Sequence, residues 1–528
     1  MLLVRNIRLP LSCGERQAVD AALRTLRLPR QAMASGGIAK LSVDARHGKP
    51  VLVYTVAITL KDEGAEPALA GAAPCVAIIQ RQPLLLKRGT EKLAHRPVIC
   101  GLGPAGLFCA LVLARQGFAP LILERGPAMD ERVAAIDRFN ATGELDVNAN
   151  IQFGEGGAGT FSDGKLTTRI GDELCGFITE TLLEHGAPGE IAIRQKPHIG
   201  TDKLRGVIAS VRREIEQLGG QVLFNTALTG LEVRGGRLTG VQTTAGPIPC
   251  EALVLAPGHS ARDTFEMLTE QGLLLQCKPF SVGFRAEHLQ TEIEKGLYHD
   301  AAGHPALPRG EYQLSQHVGQ RCVYTFCMCP GGQVVAAASE EGGVVTNGMS
   351  YHARSGPNAN AAVVVSVDGR DFGQDPMRAV AWQRQMEQSA FAAGGGRYTA
   401  PAETLGSFLE GRGELKLGRV EPTYPRGVIP ADLGALLGDE LGSAMRTGLR
   451  AFGRKLPGYD AEDTVLTGLE TRTSSPVRLP RGEDYQADGL PGLYPCGEGA
   501  GYAGGIMSAA VDGVRVARAI TERFCPAE

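Results

Sequence analysis

Three glycines about a fifth of the way along the chain have the spacing of a dinucleotide-binding turn. Gly101, Gly103 and Gly106 follow the short apolar run PVICG and precede an apolar segment that extends to about Arg115. The first glycine permits a tight strand-to-helix turn, the second removes a Cβ that would block a pyrophosphate, and the third lets the helix pack closely on the strand. The start of that helix would offer free N–H groups and a positive dipole end to phosphates.

An acidic residue lies where such a fold needs one. A second apolar run, APLILE, ends at Glu124, 21 residues after Gly103. A carboxylate there can accept both hydroxyls of an adenosine ribose and repels a 2′-phosphate, which favours FAD or NAD over NADP. The alternative is a glycine-rich turn in any parallel α/β protein. The order of strand, glycines, helix, second strand and acid argues against it.

A second glycine-rich segment occupies residues 150–169. Gly154, Gly156 and Gly159 repeat the spacing formally, but NANIQF is not a buried strand and GTFSDGK has too many turn formers to begin a helix. We therefore predict a loop that lies along the cofactor held by the first motif. A surface loop without a ligand is the alternative. The polar side chains nearest to the cofactor would be Ser162, Asp163 and Lys165.

The end of the chain carries a third glycine-rich turn, at residues 497–505, followed by an apolar helix from about Ile506. Glu498 could hold a ribityl hydroxyl, and the small residues would admit the phosphate. The helix start near Gly505 could face the N1–C2=O edge of a flavin, where negative charge builds on reduction. NAD would require no second, distant glycine turn. The two ends of the chain therefore predict one ligand, FAD.

The sequence divides into four predicted segments. Residues 1–92 begin with a β-α-β-β pattern and form a small α+β domain, either a packing module or a contact for a protein partner. Residues 93–275 contain an amphipathic helix after Asp202, a meander and a buried strand closed by Ala-Pro-Gly at 256–258, and they form the first part of an FAD-binding domain. Residues 276–462 form an inserted, largely antiparallel substrate domain with helices. Residues 463–528 complete the FAD-binding domain.

Composition sets limits on function. The net charge is −3, which gives no argument for nucleic acid or an anionic membrane. The twelve cysteines are scattered as in a reducing compartment, and no Cys/His spacing suits structural zinc, so no metal is predicted. The N-terminus does not read as a signal peptide, and no run approaches the ~18 apolar residues of a membrane span. We expect a cytoplasmic protein.

With both ends read, the sequence resembles the bacterial family of FAD-dependent dehydrogenases of unassigned substrate, which also has plastid relatives. The likeness covers nearly the whole chain and rests on GLGPAG, FGEGGAGTFSDGKL, FCMCPGG, TNGMS, LETRTSSPVR and GEGAGYAGGI. More distantly it is similar to aromatic hydroxylases and geranylgeranyl reductases. The resemblance implies a two-dinucleotide-fold α/β flavoprotein of glutathione-reductase type, with a Rossmann-like FAD-binding domain. Ala-Pro-Gly at 256–258 departs slightly from the commoner Ala-Thr-Gly.

The predicted site has a cofactor part and a catalytic part. The residues predicted to bind non-covalent FAD are Gly101, Gly103, Pro104, Ala105, Gly106, Glu124, Arg125, Gly156, Gly157, Ser162, Gly164, Lys165, Ala256, Gly258, Gly497, Glu498, Gly504, Gly505 and Ile506. The catalytic candidates are Cys327, Cys329, Lys165 and Arg472, with Arg354 and His259 as weaker ones.

Each catalytic candidate has a structural alternative. The thiols of Cys327 and Cys329 could exchange electrons with flavin, act as a base or act as a charge-transfer donor, but buried free cysteine also packs as a small hydrophobe. A cation beside N1–C2=O would stabilise reduced flavin, and an arginine fork suits a carboxylate substrate. A solvated cation or a satisfied structural histidine is the corresponding alternative.

The predicted function is an FAD-dependent oxidoreductase that passes hydride through flavin N5 to or from an unidentified organic substrate. A nicotinamide donor, NAD(P)H, would bind only transiently because no second well-formed nucleotide domain is predicted. One alternative is a flavin monooxygenase. Another is a binding or assembly protein with a structural flavin, in which the N-terminal domain contacts a macromolecular partner.

Overall fold

The computed structural model describes residues 1–46, 48–71, 73–78, 84–168 and 170–526. The N-terminal sheet has the order β2-β3-β1-β4, with every neighbouring pair antiparallel. The chain order βαββαβ with this strand order is the split β-α-β arrangement. Its elements are β1 (Leu2–Leu9), α1 (Glu15–Leu26), β2 (Met33–Asp44), β3 (Val51–Leu60), α2 (Glu66–Ala70) and β4 (Val76–Ile78).

The predicted helix of this module is confirmed. Val19, Leu23 and Leu26 recur at helical spacing on α1 and are buried against the alternating inward residues of the sheet. The outer strand β2 is attached to the rest of the protein, because Leu41 exchanges backbone hydrogen bonds with Ile193 and Gln195 at 2.7 and 2.9 Å.

The next elements build a parallel sheet and a meander. They are β5 (Glu91–Lys92), β6 (Val98–Cys100), α3 (Pro104–Arg115), β7 (Leu121–Leu123), α4 (Met129–Thr142), α5 (Leu174–Glu184), α6 (Thr201–Gln217), β8 (Gln221–Leu223), β9 (Leu228–Arg234), β10 (Arg237–Thr243), β11 (Gly246–Pro249), β12 (Leu253–Leu255) and α7 (Arg262–Glu270). The strand-glycine-helix-strand order and the meander predicted from the sequence are both present.

The following elements build a large mixed sheet and its helices. They are β13 (Gln276–Cys277), β14 (Phe280–Leu289), α8 (Gln290–Tyr298), β15 (Ser315–Val318), β16 (Arg321–Cys329), β17 (Gln333–Ala336), β18 (Thr346–Met349), β19 (Asn358–Val367), α9 (Gly369–Phe372), α10 (Pro376–Ala393), β20 (Ala400–Thr404), α11 (Leu405–Glu410), β21 (Val428–Pro430), α12 (Leu433–Leu437), α13 (Asp439–Lys455), β22 (Val465–Glu470) and β23 (Val477–Arg478). The chain ends with β24 (Leu493–Pro495), α14 (Ile506–Arg523) and β25 (Phe524–Cys525).

The parallel sheet has the order β24-β12-β6-β7-β8 and joins the last part of the chain to the first motif. Its three inner strands are buried throughout, which explains why they read as continuous apolar runs rather than alternating ones. Helices α3 and α14 cover one face, and the core on the other face includes the meander β9–β11. The carboxyl ends of β6, β12 and β24 therefore lie together, where a doubly wound sheet binds its ligand.

The mixed sheet has the order β15-β16-β19-β14-β22-β20-β21 and is mostly antiparallel. Strand β22 lies beyond residue 462 and pairs with β14 inside this sheet. The sheet therefore extends past the predicted boundary between 462 and 463. No helix in the described part of the chain combines the length and the apolar character that crossing a bilayer would need.

Candidate functional site

The first glycine turn brings three backbone segments into close contact. Gly101 has φ +98°, and a Cβ at this position would collide with the carbonyl oxygen of Ala256 on the neighbouring strand end. A Cβ at Gly106 would collide with the carbonyl of Gly101. Gly103 differs, because its backbone is extended and a Cβ would have only the Cα of Gly157 nearby, at 3.8 Å. Gly101 and Gly106 therefore secure the packing, while the space at Gly103 is open.

The start of helix α3 packs against the middle of α14. A Cβ at Gly513 in α14 would collide with the carbonyl of Ala105 in α3, so the two helices are in close backbone contact. The loop between them also touches both, since a Cβ at Gly159 would lie 2.8 Å from Ile506 and 3.8 Å from Pro104. We call residues 101–106, 156–159 and 504–506 the cofactor cradle. Two helix starts that contact the same loop, with exposed backbone donors, fit a ligand that carries phosphates and a polar ring edge.

A buried arginine shapes the glycine-rich loop of the cradle. Arg132 of α4 donates to the carbonyls of Asn150 and Ile151, at 3.0 and 2.9 Å, and to that of Glu155 at 2.6 Å. Burial lowers the pKa of Arg132 to about 9. Glu155 in turn accepts from Met129 N at 2.8 Å and from the Arg212 side chain at 2.7 Å. The sequence analysis missed Arg132, which no motif marks, and gave no role to Glu155, although that residue belongs to the motif FGEGGAGTFSDGKL.

Glu124, the acid predicted to bind the ribose, follows strand β7 and is already partly engaged. The Glu124 carboxylate is 4% exposed and accepts backbone N–H bonds from Leu102, Gly126 and Gly154 at 2.9, 2.9 and 3.1 Å. An ionised carboxylate offers about four acceptor positions. One position is therefore left for a ribose hydroxyl, rather than the two that the sequence predicted. Arg125 donates to Asp263 at 2.6 Å and stacks on a phenylalanine ring.

The closing turn is fixed by α14. Asp512, in the middle of that helix, accepts from Gly497 N at 2.8 Å and from Arg481 at 2.6 Å. Glu498 is half-buried, and desolvation raises its pKa to about 7. The charge of Lys278 opposes that rise, and the charge of Cys327 adds to it.

Three of the four predicted catalytic residues come together beside this turn. The ammonium of Lys165 lies 2.7 Å from Asp163 and donates to the carbonyl of Met328, between Cys327 and Cys329. Burial opposes the charge of Lys165, but the Asp163 carboxylate outweighs it and keeps the pKa of that ammonium above its usual range. We call Asp163, Lys165, Arg285, Cys327 and Glu470 the charged pocket.

The strand that carries the two cysteines is irregular there. The pairing of β16 with β19 shifts between Phe326 and Cys329, and Cys327 has φ +45°. A hydrogen bond from the Cys329 thiol lowers the pKa of Cys327 well below its usual range, and the charges of Lys165 and Arg285 lower it further. The pKa of Cys329 is raised. Cys327 is half-buried, so a thiolate there is reachable from outside the fold.

Arg285 supports the pocket from the central strand of the mixed sheet. Its side chain is fully buried, pairs with Glu470 through two hydrogen bonds of 2.7 and 2.6 Å, and donates to the carbonyl of Cys327 at 2.8 Å. Arg354 is also committed, because it pairs with both Asp163 and Glu311. Sequence analysis missed Arg285, which lies within a strand with no motif around it, and gave no role to Glu470, although that residue belongs to the motif LETRTSSPVR.

Arg472 lies in a different cluster. It is buried, donates to Glu387 at 3.0 and 2.8 Å and also bonds Ser339. Arg262 binds the same Glu387. His259 contacts Ser260 at 3.0 Å, and burial lowers its pKa to about 4, so the ring is neutral. The structure thus does not bring Arg472 to the charged pocket, because Glu387 holds it in an ion-pair cluster.

Fold and site together define a dinucleotide-binding α/β protein whose cradle fits a flavin dinucleotide. Residues 279–473 match the family model described as "FAD-dependent protein, C-terminal domain-like". An uncharacterized protein of Clostridium beijerinckii is 44% identical over 525 residues, covering 99% of this chain and 98% of that protein. The chain therefore belongs to the same family as the clostridial protein, and its mixed sheet lies within the residues that match the family model.

More distant similarities cover less or score lower. Protein FixC of Escherichia coli K12 is 25% identical over 233 residues, covering 43% of this chain and 48% of that protein. The glycine oxidase structure of Bacillus cereus is 12% identical, covers 80% of this chain and 94% of its own and has a TM-score of 0.30. A geranylgeranyl bacteriochlorophyll reductase-like structure of Thermoplasma acidophilum is 12% identical, covers 81% of this chain and 78% of its own, and has a TM-score of 0.35. TM-scores this low carry no argument about this chain.

Proposed function

We propose that the protein is an FAD-dependent oxidoreductase that transfers hydride between flavin and a small organic substrate. The observation that carries the proposal is the meeting of two differently built regions. The loop that contributes residues 156–159 to the cofactor cradle continues to Asp163 and Lys165, and the Lys165 ammonium donates to the carbonyl of Met328 in the charged pocket, next to Cys327. A flavin held by the cradle would thus have a cationic, thiol-bearing pocket beside it.

FAD, when bound, would supply two-electron hydride transfer at N5. Pro104 and Ile506 begin the two helices whose N–H groups would bind it, and Glu124 and Glu498 would accept its hydroxyls. These roles use groups that the structure leaves open: the space at Gly103, the last acceptor position of Glu124 and the half-buried carboxyl of Glu498.

Lys165 and Cys327 act on the substrate. The Lys165 side chain is 24% exposed and is already oriented by Asp163 and Met328, so it can bind an anionic or polarised oxygen with little loss of freedom. The Cys327 thiolate accepts a proton from the substrate at Sγ as hydride leaves, and the charges of Lys165 and Arg285 stabilise that thiolate. The Cys329 thiol donates to the backbone carbonyl of Cys327 at 3.3 Å. Arg285 is a positioning residue, because it holds the backbone carbonyl of Cys327.

The test is anaerobic reduction of the purified yellow protein by NADH or NADPH, followed by a metabolite screen for reoxidation. The proposal expects that one nicotinamide reduces the flavin by transient binding and that an organic compound reoxidises it. Cys327→Ser should keep reduction by dithionite and lose turnover of that compound. Oxygen consumption that yields a hydroxylated product would favour a monooxygenase. Flavin that no physiological donor reduces would favour a structural role and contradict the proposal.

A further inference from the structure

One group of side chains outside the flavin site is arranged for a metal ion. Glu190, His198 and His352 each offer a donor atom, and these atoms all lie within 4.8 Å of one another. Glu190 and His198 lie in one short segment, but His352 is 154 positions beyond His198, so no local spacing reveals the full set. Glu190 belongs to the single-turn helix Gly189–Ala192, His198 follows it, and His352 lies in the loop after β18.

The backbone around these residues is fixed independently of any ligand. Gly200, at φ +85°, lies so close to His352 that a Cβ would collide with its backbone nitrogen. Thr201 N donates to Ser350 O at 3.0 Å, and Asp202 accepts from His352 N at 2.7 Å. The loop carrying His352 and the segment carrying His198 are therefore held together before a metal binds.

Backbone carbonyls orient both imidazoles. Nδ1 of His352 lies 3.0 Å from the carbonyl of Ile199, so this nitrogen must donate and Nε2 keeps its lone pair. That Nε2 faces a Glu190 oxygen at 3.6 Å. Nε2 of His198 lies 3.0 Å from the carbonyl of His352, which leaves the lone pair on Nδ1. A hydrogen bond from the second ring nitrogen to a carbonyl is the support that metal-binding histidines normally have.

Cations also lie near the three donors. Arg194 forms a loose pair with Glu190 at 3.7 Å, and a metal ion would have to displace it. Arg354 lies near His198, but Asp163 and Glu311 already neutralise it. Asp202 adds negative charge beside His352, and Lys196 pairs loosely with Glu311 at 3.8 Å.

We propose that Glu190, His198 and His352 bind a divalent transition metal of the Zn²⁺ type, with a fourth position open to water. Two imidazoles and one carboxylate suit Zn²⁺ or Co²⁺ and disfavour Ca²⁺, which takes six to eight oxygens. Ligand bonds of about 2.0–2.2 Å require the three donors to draw together. Glu190 can do so because its side chain is 35% exposed. The inference does not depend on the proposed function.

The proposed metal site lies next to the segment that contains Lys165. His198 forms a backbone bridge with Lys165, and Ile199 N donates to Gly164 O at 3.1 Å. A metal ion that binds both Glu190 and His352 would therefore restrain the segment that pairs with Gly164 and Lys165. The single-turn helix also adjoins the Ile193–Gln195 contact of the N-terminal module.

The test is calorimetric titration of chelator-treated holoprotein with ZnCl₂, with CaCl₂ as the comparison ion. One Zn²⁺ site is expected, and Glu190→Gln, His198→Gln and His352→Gln should each weaken it more than about tenfold. His317→Gln, at an exposed strand position, and Cys327→Ser are the matched controls and should bind as the parent does.

A second readout separates metal binding from a folding defect. Zn²⁺ should raise the melting temperature of the parent and leave that of Glu190→Gln unchanged, and Glu190 is exposed enough for the variant to fold. Absence of a stoichiometric site would overturn the proposal. Binding that Cys327→Ser loses and His352→Gln keeps would also overturn it, because the thiols would then be the ligands.

Discussion

The cofactor cradle and the charged pocket are built from different materials. The cradle is made of backbone, with glycines at places where a side chain would collide or block the ligand. The charged pocket is made of buried ionic side chains that arrive from separate strands and loops and satisfy one another. The cradle therefore requires positions without a side chain, whereas the charged pocket requires side chains of opposite charge that pair with one another. Substitutions should fail in different ways in the two regions.

The largest effect is expected at Gly103. Gly103→Val should fold but retain less than about a tenth of the parent's FAD, because the new side chain occupies the open space where the pyrophosphate would lie. Flavin absorbance per protein, with circular dichroism and melting as the folding check, measures this. Gly206→Val, on the exposed face of α6, is the control and should keep full flavin content. Normal flavin content in Gly103→Val would refute the cradle.

The pocket should instead lose stability when a charge loses its partner. Arg285→Met leaves the buried Glu470 carboxylate unpaired and should lower the free energy of unfolding by about 3–5 kcal/mol. The loss should be larger at alkaline than at mildly acidic pH, where Glu470 can take up a proton. Urea unfolding measures it. Arg419→Met breaks an exposed pair with Asp463 and should change stability by about 0–1 kcal/mol. Equal losses in the two variants would contradict the account.

The charge of Lys165 should appear in the reactivity of Cys327. Lys165→Met removes a cation that lowers the thiol pKa, so the folded-state pKa of Cys327 should rise. Because the thiolate is the reactive form, the pH midpoint of Cys327 alkylation should move upward and the rate below it should fall several-fold. Mass spectrometry of the modified peptide reports the rate. Lys455→Met, on an exposed lysine, should leave the profile unchanged. An alkylation pH profile in Lys165→Met that matches the parent's would contradict the proposed interaction between Lys165 and Cys327.

The smallest effect concerns the α14 dipole. Gly504 has open space and no positive φ, so Gly504→Asp can be accommodated, whereas Asp at Gly505 would be strained at φ +122°. A carboxylate at this helix start should oppose the anionic reduced flavin by about 0.3–1 kcal/mol. With 1.4 kcal/mol equal to about 30 mV, the potential should fall by roughly 6–20 mV. Gly206→Asp is the control. If Gly504→Asp holds its full flavin content and has the same reduction potential as the parent, this turn does not face the flavin.

Sequence analysis worked where backbone geometry dictates the residue. Gly101 and Gly106 had to be glycine, and their spacing gave the strand, turn and helix of the first motif. The apolar runs of β6 and β12 indicated a parallel sheet because strands that are buried on both faces are apolar throughout. Lys165, Cys327 and Cys329 were found because glycine-rich or cysteine motifs surround them.

Residues that satisfy each other across the fold carried no such signal. Arg285 and Glu470 are 185 positions apart, and neither interrupts its strand. Arg472 looked like a substrate-binding cation because its partner, Glu387, is 85 positions away. Glu124 was predicted from its position after the second strand, but the three N–H groups that occupy its carboxylate depend on the path of the loop. Pairing over such distances follows from topology, which a one-dimensional pattern does not contain.

The visible spectrum of the oxidised holoprotein during anaerobic acidification tests the central claim most directly. If the cradle places flavin beside the charged pocket, the Cys327 thiolate should give a long-wavelength charge-transfer absorbance that fades as the thiolate is protonated. Cys327→Ser should lack the band, and Lys165→Met should lose it at higher pH than the parent. Cys322→Ser, also on β16, should keep it. A parent spectrum without this band, or with a band that Cys327→Ser retains, would contradict the claim that the two regions meet at one ligand.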